Sequence, residues 1–248
     1  MRSSASLYIM QRAAEKAAFS LLRDFGELEK LQVSHKGFRN FVTSADRNSE
    51  ARIVQELARA RPEYSLICEE SGFTEKENNN AVWIVDPIDG TSNFMRGIPY
   101  FAINIALQIN KEFTAGVTFD PVRGECYKAE VGQGAFVGQR SRLRVSGREN
   151  MKEAVVATRA SLNIDETLIR AGAILRKTGS VALDLAYLSA GKYDIVVAYD
   201  SCIWDIAAGI VLVKESGGFI SVTHSGEHYN IIAASSKKLL DDCARLGL

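Results

Sequence analysis

Residues 82–94 read "VWIVDPIDGTSNF": an apolar run ends on Asp86, Pro87 follows, and Asp89, Gly90 and Thr91 complete the next five positions. From these residues alone two readings stay open. A proline at the second position of a turn and an Asp-Gly pair at its end suit a tight turn leaving a buried strand. The same residues suit a strand end that aims carboxylates at a cation and backbone N–H groups at a phosphate.

Around this stretch, "SLICEE", "AVWIVDP", "FAINIALQI", "FTAGVTFDP", "GECYKAEV", "GAFV" and "LRVS" are short, apolar or alternating, and punctuated by Gly, Asn, Asp or Pro. That texture predicts a run of strands in a mostly antiparallel sheet. Before it come two helical patterns. Leu7, Met10, Ala14, Ala17, Ala18 and Leu21 form one apolar stripe, and Ile53, Val54 and Leu57 form another behind a Thr43 or Ser44 cap. "VSHKGFRNFVT" between them reads as a hairpin or loop, and the polar "SGFTEKENNN" as a mobile loop.

After residue 150 the pattern alternates. "AVVAT" reads as a strand, "DETLIRAGAIL" as a helix, and "ALDLAYLSAGKYD" as a helix closed near Gly191. "IVVAY" is strand-like, "WDIAAGIVLVKESGG" a helix ended by Gly217 and Gly218, "GFISV" and "YNIIAAS" strands, and "KKLLDDCARLGL" a closing helix. The expected fold is α/β (α+β), with helix pairs and sheets in alternating layers. One domain is expected over 1–248, with N-terminal helices and a large antiparallel sheet in 1–150 and a smaller α/β half in 151–248.

Composition narrows the function. Lys plus Arg equals Asp plus Glu at 30 each, which leaves no global field to attract nucleic acid or an acidic membrane. Cys68, Cys126, Cys202 and Cys243 are widely spaced, with no Cys-x-x-Cys pair for zinc or dithiol chemistry, so reduced and mostly buried thiols are expected. The first residues do not resemble a signal peptide and no apolar run reaches membrane-spanning length, so a soluble cytoplasmic protein is the expectation.

The carboxylates that stand out sit at element ends. Glu69 and Glu70 follow "SLIC", Asp86 and Asp89 follow "AVWIV", and Asp205 opens an apolar helix. Alone, each has a bland reading: a charged strand end, a turn, a helix cap. Together they form a set of oxygen donors that would repel one another unless protonated or bound to a hard cation such as Mg²⁺. Competing features are weaker. His224 and His228 flank Gly226 in a turn-like stretch, "GQGAF" at 132–136 lacks the context of a dinucleotide loop, and no Gly-x-x-x-x-Gly-Lys-Ser/Thr loop is present.

"DPIDGTSNF" after an apolar strand, "EES" upstream and "WDIAAGIVLVKESGG" downstream resemble the two signatures of the inositol monophosphatase family, Mg²⁺-dependent and lithium-sensitive phosphomonoesterases. "FVTSAD", with Lys36 before it, and "RKTGSVALDLAYLSAG" extend the resemblance in order over essentially the whole chain. It implies the layered αβαβα sandwich of the inositol monophosphatase/fructose-1,6-bisphosphatase superfamily and a homodimer. It implies that Glu69, Asp86 and the Ile88 carbonyl hold one metal, and that Asp86, Asp89 and Asp205 hold a second. Glu70 would assist a third, and Thr91, paired with Asp46 and helped by Glu69, would orient the attacking water. Asp89, Gly90, Thr91, Gly179, Ser180 and Asp205 would face the phosphorylated substrate.

The chain also departs from the family pattern. Members acting on inositol phosphates usually carry a glutamate seven positions before the second-motif aspartate, to bind sugar hydroxyls; here that position is Ala198, with Tyr199 and Asp200 as candidate substitutes. Asn40 stands where an aspartate is frequent. The resemblance therefore leaves other phosphate esters in view: fructose 1,6-bisphosphate, histidinol phosphate, NADP or a 3′-phosphoadenosine nucleotide. It leaves a further reading too, a regulatory protein acting on RNA or the transcription machinery.

Overall fold

The computed structural model describes residues 4–31 and 35–248, with side chains described outside 29–31, 35–43 and 78–79. Expectations resting on the side chains of Lys36 and Asn40 lie outside that set. The first layer is α1 (Ala5–Leu31) beside α2 (His35–Ala60). Next comes an eight-stranded sheet of β1 (Tyr64–Cys68), β2 (Gly72–Thr74), β3 (Asn78–Asp89), β4 (Ala102–Ile109), β5 (Glu112–Asp120), β6 (Glu125–Glu130), β7 (Gly134–Val137) and β8 (Ser141–Arg142). Its order is β2-β1-β3-β4-β5-β6-β7-β8, and β1 with β3 is its one parallel pair. The short α3 (Thr91–Met95) follows β3 directly.

The remaining chain adds β9 (Val155–Arg159), α4 (Leu162–Arg170), β10 (Ile174–Arg176), α5 (Val181–Ser189), β11 (Ile195–Ser201), α6 (Ile203–Glu215), β12 (Phe219–Ser225), β13 (His228–Ala234) and α7 (Lys237–Arg245). Its strands form a second sheet, ordered β10-β9-β11-β13-β12. Helices α5 and α6 pack between the two sheets, and α4 and α7 lie against the second, giving five layers. The α1 stripe read from the sequence is buried throughout, from Leu7 to Leu21, against Trp83, Val85, Ile103 and Val117 of the first sheet. Helix α6 is apolar on all sides because both of its faces meet a sheet: Asp205 to Val213 are all buried.

Two contacts seat the middle and the C-terminal end of α6 against the first sheet. A Cβ at Gly116 of β5 would lie 2.6 Å from Ala208 Cα, so only glycine lets the helix approach the strand so closely. At the far end the Glu215 carboxylate accepts the N–H groups of Gly132 (3.0 Å) and Gly134 (2.7 Å) in the β6–β7 turn.

Several local expectations are corrected. Helix α2 starts at His35, so most of "VSHKGFRNFVT" is helical and Thr43 and Ser44 lie inside a helix instead of capping one. The apolar residues at 38, 41, 42 and 45 continue the helical spacing that Ile53 and Leu57 begin. In "SGFTEKENNN", Gly72–Thr74 fold back on β1 as a strand, with Cys68 opposite Gly72 and Leu66 opposite Thr74, and Asn78 already begins β3. The "DETLIRAGAIL" helix stops at Arg170. Gly172 turns the chain at φ 90°, and Ile174–Arg176 becomes a parallel edge strand beside β9. "LRVS" contributes only Arg142 to a strand.

Candidate active site

Asp86 and Asp89 both belong to β3, so the stretch is neither a plain turn nor a regular strand. Asp86 pairs with Asn104 and Asp89 with Ala102, which leaves one extra residue on the β3 side: a β-bulge. Packing shows the same interruption. Val82 and Ile84 face α6, Trp83 and Val85 face α1, and alternation would send Ile88 towards α6; instead it joins the α1-side core. The bulge is held by the Ile88 N–H, which donates to Asp86 Oδ1 (2.9 Å), and by Ser49 of α2, whose hydroxyl donates to the Pro87 carbonyl (3.3 Å). Gly90 then turns the chain at φ 95° into α3, where a Cβ would meet Tyr100 O at 3.1 Å.

Asp205 completes the group from α6. It occupies the third helical position after Cys202, and its Oδ2 accepts the Cys202 N–H (3.1 Å). The start of α6 is tied to the first sheet by Asn104, whose amide donates to the Trp204 carbonyl (2.6 Å). Oxygens of Asp86, Asp89 and Asp205, all buried, consequently lie within 4.8 Å of one another.

At that separation two bare carboxylates repel by roughly 3 kcal/mol at an effective dielectric constant near 20. Burial, with Glu69, Asp89 and Asp205 nearby, raises the Asp86 pKa well above the usual carboxylate range. Burial and Asp205 push Asp89 up to about 8, against the opposing bonds it accepts from the Ser180 hydroxyl and the Ala182 N–H (2.8 Å). Asp205 is raised as well, chiefly by burial. An all-oxygen donor set that is under-neutralised and buried suits a hard divalent cation.

The other expected residues divide. Glu69 lies at the solvent edge, raised by desolvation and sharing a hydrogen bond with Asp86. Glu70 turns away from the three aspartates: its carboxylate is 3.6 Å from Arg47 Nε and its N–H donates to Glu50 (2.8 Å). The Thr91 hydroxyl donates to the Ile88 carbonyl (2.9 Å), so the expected bond to Asp46 is not formed here. Asp46 Oδ1 is buried without a hydrogen-bond partner, and desolvation, then Glu70, Glu69 and Glu50, raises its pKa to about 7.

The rim brings distant segments together. Asn93 donates to the carbonyls of Tyr100 and Thr178 (2.7 Å each), which holds Gly179 and Ser180 beside the first motif. Thr178 and Tyr100 both donate to the buried Asp184, at 2.7 and 2.8 Å. Neither candidate substitute for the absent glutamate enters the site. Tyr199 packs on the opposite face with Leu239 and Cys243, and Asp200 directs its carboxylate towards His228 (3.9 Å). Arg159, by contrast, is a site residue that sequence reading missed. It pairs with Ala198 across β9 and β11, and its guanidinium donates to Asp205 Oδ2 (3.1 Å) and to the Asp200 carbonyl (3.2 Å). The one signal for it was a charge at the end of "VVAT", where strand ends carry function.

Fold and site together define a layered α/β protein with an acidic cation site at the joint between its sheets. Comparison with known proteins gives the family: residues 4–246 match the model of the inositol monophosphatase family, and the chain belongs to it. A protein of Caulobacter vibrioides named inositol-1-monophosphatase is 42% identical over 88% of this chain and 90% of its own length. Escherichia coli K12 Nus factor SuhB is 36% identical over 93% of this chain and 91% of its own. The crystal structure of extragenic suppressor protein SuhB from Bartonella henselae superposes with a TM-score of 0.87 at 37% identity, covering 99% of both chains. Among the described residues no helix is long and apolar enough to cross a membrane.

Proposed function

We propose that the protein hydrolyses inositol 1-phosphate to inositol and phosphate, with two Mg²⁺ ions held by Glu69, Asp86, Asp89, Asp205 and the Ile88 carbonyl. The observation that carries this reading is the convergence of Asp86, Asp89 and Asp205 oxygens within 4.8 Å in a buried setting. When bound, such ions lower the pKa of water and stabilise a leaving alkoxide, the two largest needs of a phosphate-ester hydrolase.

The chain's own residues do the positioning. Asp89, fixed by Ser180 and Ala182, and Asp205, fixed by Cys202, meet from opposite sides of the cleft. Gly90 lets the backbone approach the phosphoryl group, and the N–H groups of Gly90 and Thr91 receive its oxygens. Thr91 and Asp46, assisted by Glu69, orient the attacking water once the Thr91 hydroxyl leaves Ile88; Asp46 Oδ1 stands free to accept it. Glu70, held by Arg47, contributes at most to a third, weaker cation site. The enzyme works as a lithium-sensitive cytoplasmic homodimer in this reading.

The relatives named Nus factor support a second reading, a regulatory protein of the transcription machinery. The convergence of three buried aspartates favours catalysis, and equal numbers of acidic and basic residues disfavour tight nucleic-acid binding. Phosphate release from inositol 1-phosphate, fructose 1,6-bisphosphate, histidinol phosphate, NADP and a 3′-phosphoadenosine nucleotide separates these possibilities. Inositol 1-phosphate is expected to give the highest kcat/KM. A different leading substrate changes the substrate and keeps the chemistry; no release from any of them at saturating Mg²⁺ favours the regulatory reading.

A further inference from the structure

A cavity of about 1070 Å³ opens between the N-terminal half of α1 and the outer strands β5, β6 and β7. It is remote from the aspartates. They face α6, whereas α1 lies on the opposite face of the large sheet, and Thr114, which lines the cavity, bonds Leu107 at the end of β4 away from Asn104. Into this cavity points Lys128 of β6, only 7% exposed.

Lys128 is electrostatically unfinished. Its Nζ donates to Gln11 Oε1 (2.8 Å), a neutral acceptor, and among the described residues no carboxylate lies within ion-pair distance of it. Glu15 is kept from it by the same glutamine, whose amide N–H donates to Glu15 (2.7 Å). An ammonium has three donors, and a buried one without a counter-charge costs several kcal/mol. Water in the cavity satisfies donors but supplies no counter-charge.

We infer that this cavity binds a small organic oxyanion, a phosphate or carboxylate that pairs with Lys128 while its body lies against Tyr8 and Phe136. The volume decides for an organic ligand over a bare ion, because it reaches the upper range of pockets that enclose nucleotide-sized molecules. The two rings supply the apolar contact such a body needs. This site is independent of the proposed hydrolysis.

Isothermal titration of the full chain, stripped of divalent cations and then dialysed free of chelator, tests the inference. Without a divalent cation the aspartate cluster repels anions, which leaves the cavity as the site to be read. The probes are inorganic phosphate, a nucleoside monophosphate and a tricarboxylate, which separate the two oxyanion sources. Saturable one-to-one binding of the nucleotide or the tricarboxylate is expected, unchanged in Asp89→Asn and weakened by about tenfold or more in Lys128→Gln. Lys128→Met serves as a second variant, each first shown to be folded by its circular dichroism. No saturable binding of either organic probe, equal binding by both Lys128 variants, or loss of binding in Asp89→Asn overturns the inference.

Discussion

The Asp89 carboxylate accepts the hydroxyl of Ser180, a residue ninety-one positions later in the chain, and this bond joins the β3 motif to the start of α5. It holds one carboxylate in place against two others that repel it. A site stressed in this way trades stability for cation binding.

Asp89→Asn therefore acts in opposite directions on stability and on metal binding. In EDTA at alkaline pH the variant is expected to be more stable than wild type by about 1–2 kcal/mol, because one repelling charge is gone and the asparagine oxygen still accepts from Ser180 and Ala182. Mg²⁺ should raise its melting temperature far less than that of wild type. Thermal melts with and without Mg²⁺ check both; an apo variant less stable than wild type contradicts the account.

The pH dependence of the apo-protein has a definite sign. Burial and the neighbouring Asp205 push the Asp89 pKa up to about 8 in the fold from its ordinary 3.8, so between these values the folded state binds more protons than the unfolded state. The stability this provides is complete below about 3.8 and is lost as pH rises through about 8. In EDTA the melting temperature should fall from about pH 6 to pH 9, while the stabilisation given by Mg²⁺ grows over the same range, since the cation competes with those protons. Melts at a series of pH values, with a flat or rising apo curve as the contrary result, decide it.

Arg159 competes for Asp205. Its guanidinium donates to the oxygen Oδ2 that a cation needs, so Arg159→Ala is expected to lower the half-saturating Mg²⁺ concentration by about three- to tenfold and to destabilise the apo-protein slightly. A Mg²⁺ titration followed by thermal shift measures both. An unchanged or higher half-saturation would mean that Arg159 positions Asp205 for the metal.

The contact between Gly116 and Ala208 is expected to transmit to the site. Gly116→Ala places a Cβ against the Ala208 backbone, overpacking that costs about 1–3 kcal/mol, and it shifts the helix three residues after Asp205. Weaker Mg²⁺ stabilisation should accompany the lower melting temperature. Gly26→Ala, in α1 with open space around it, is the control and is expected to gain about 0.5–1 kcal/mol.

Much of this was legible in the residues. The order of helices and strands, the layered fold and the three aspartates followed from apolar periodicity and from carboxylates at element ends. The hidden parts depend on contacts between distant segments. Helix α2 begins before its expected cap, and no local pattern reveals that Gly72–Thr74 folds back on β1. The bulge reads as a turn because Pro87 and Gly90 suit both, and only the pairing with Asn104 and Ala102 distinguishes them. Arg159 joins the site through the parallel register of β9 with β11, and Lys128 becomes a buried cation only because α1 covers β6.

The most direct test of the central claim is phosphate release from inositol 1-phosphate as a function of Mg²⁺, for wild type and Asp89→Asn. The account predicts no release without Mg²⁺, a saturable rise in wild type, and turnover at least about a thousandfold lower in the variant, a barrier increase of about 4 kcal/mol. Release that persists in EDTA, or a variant as active as wild type, would contradict it.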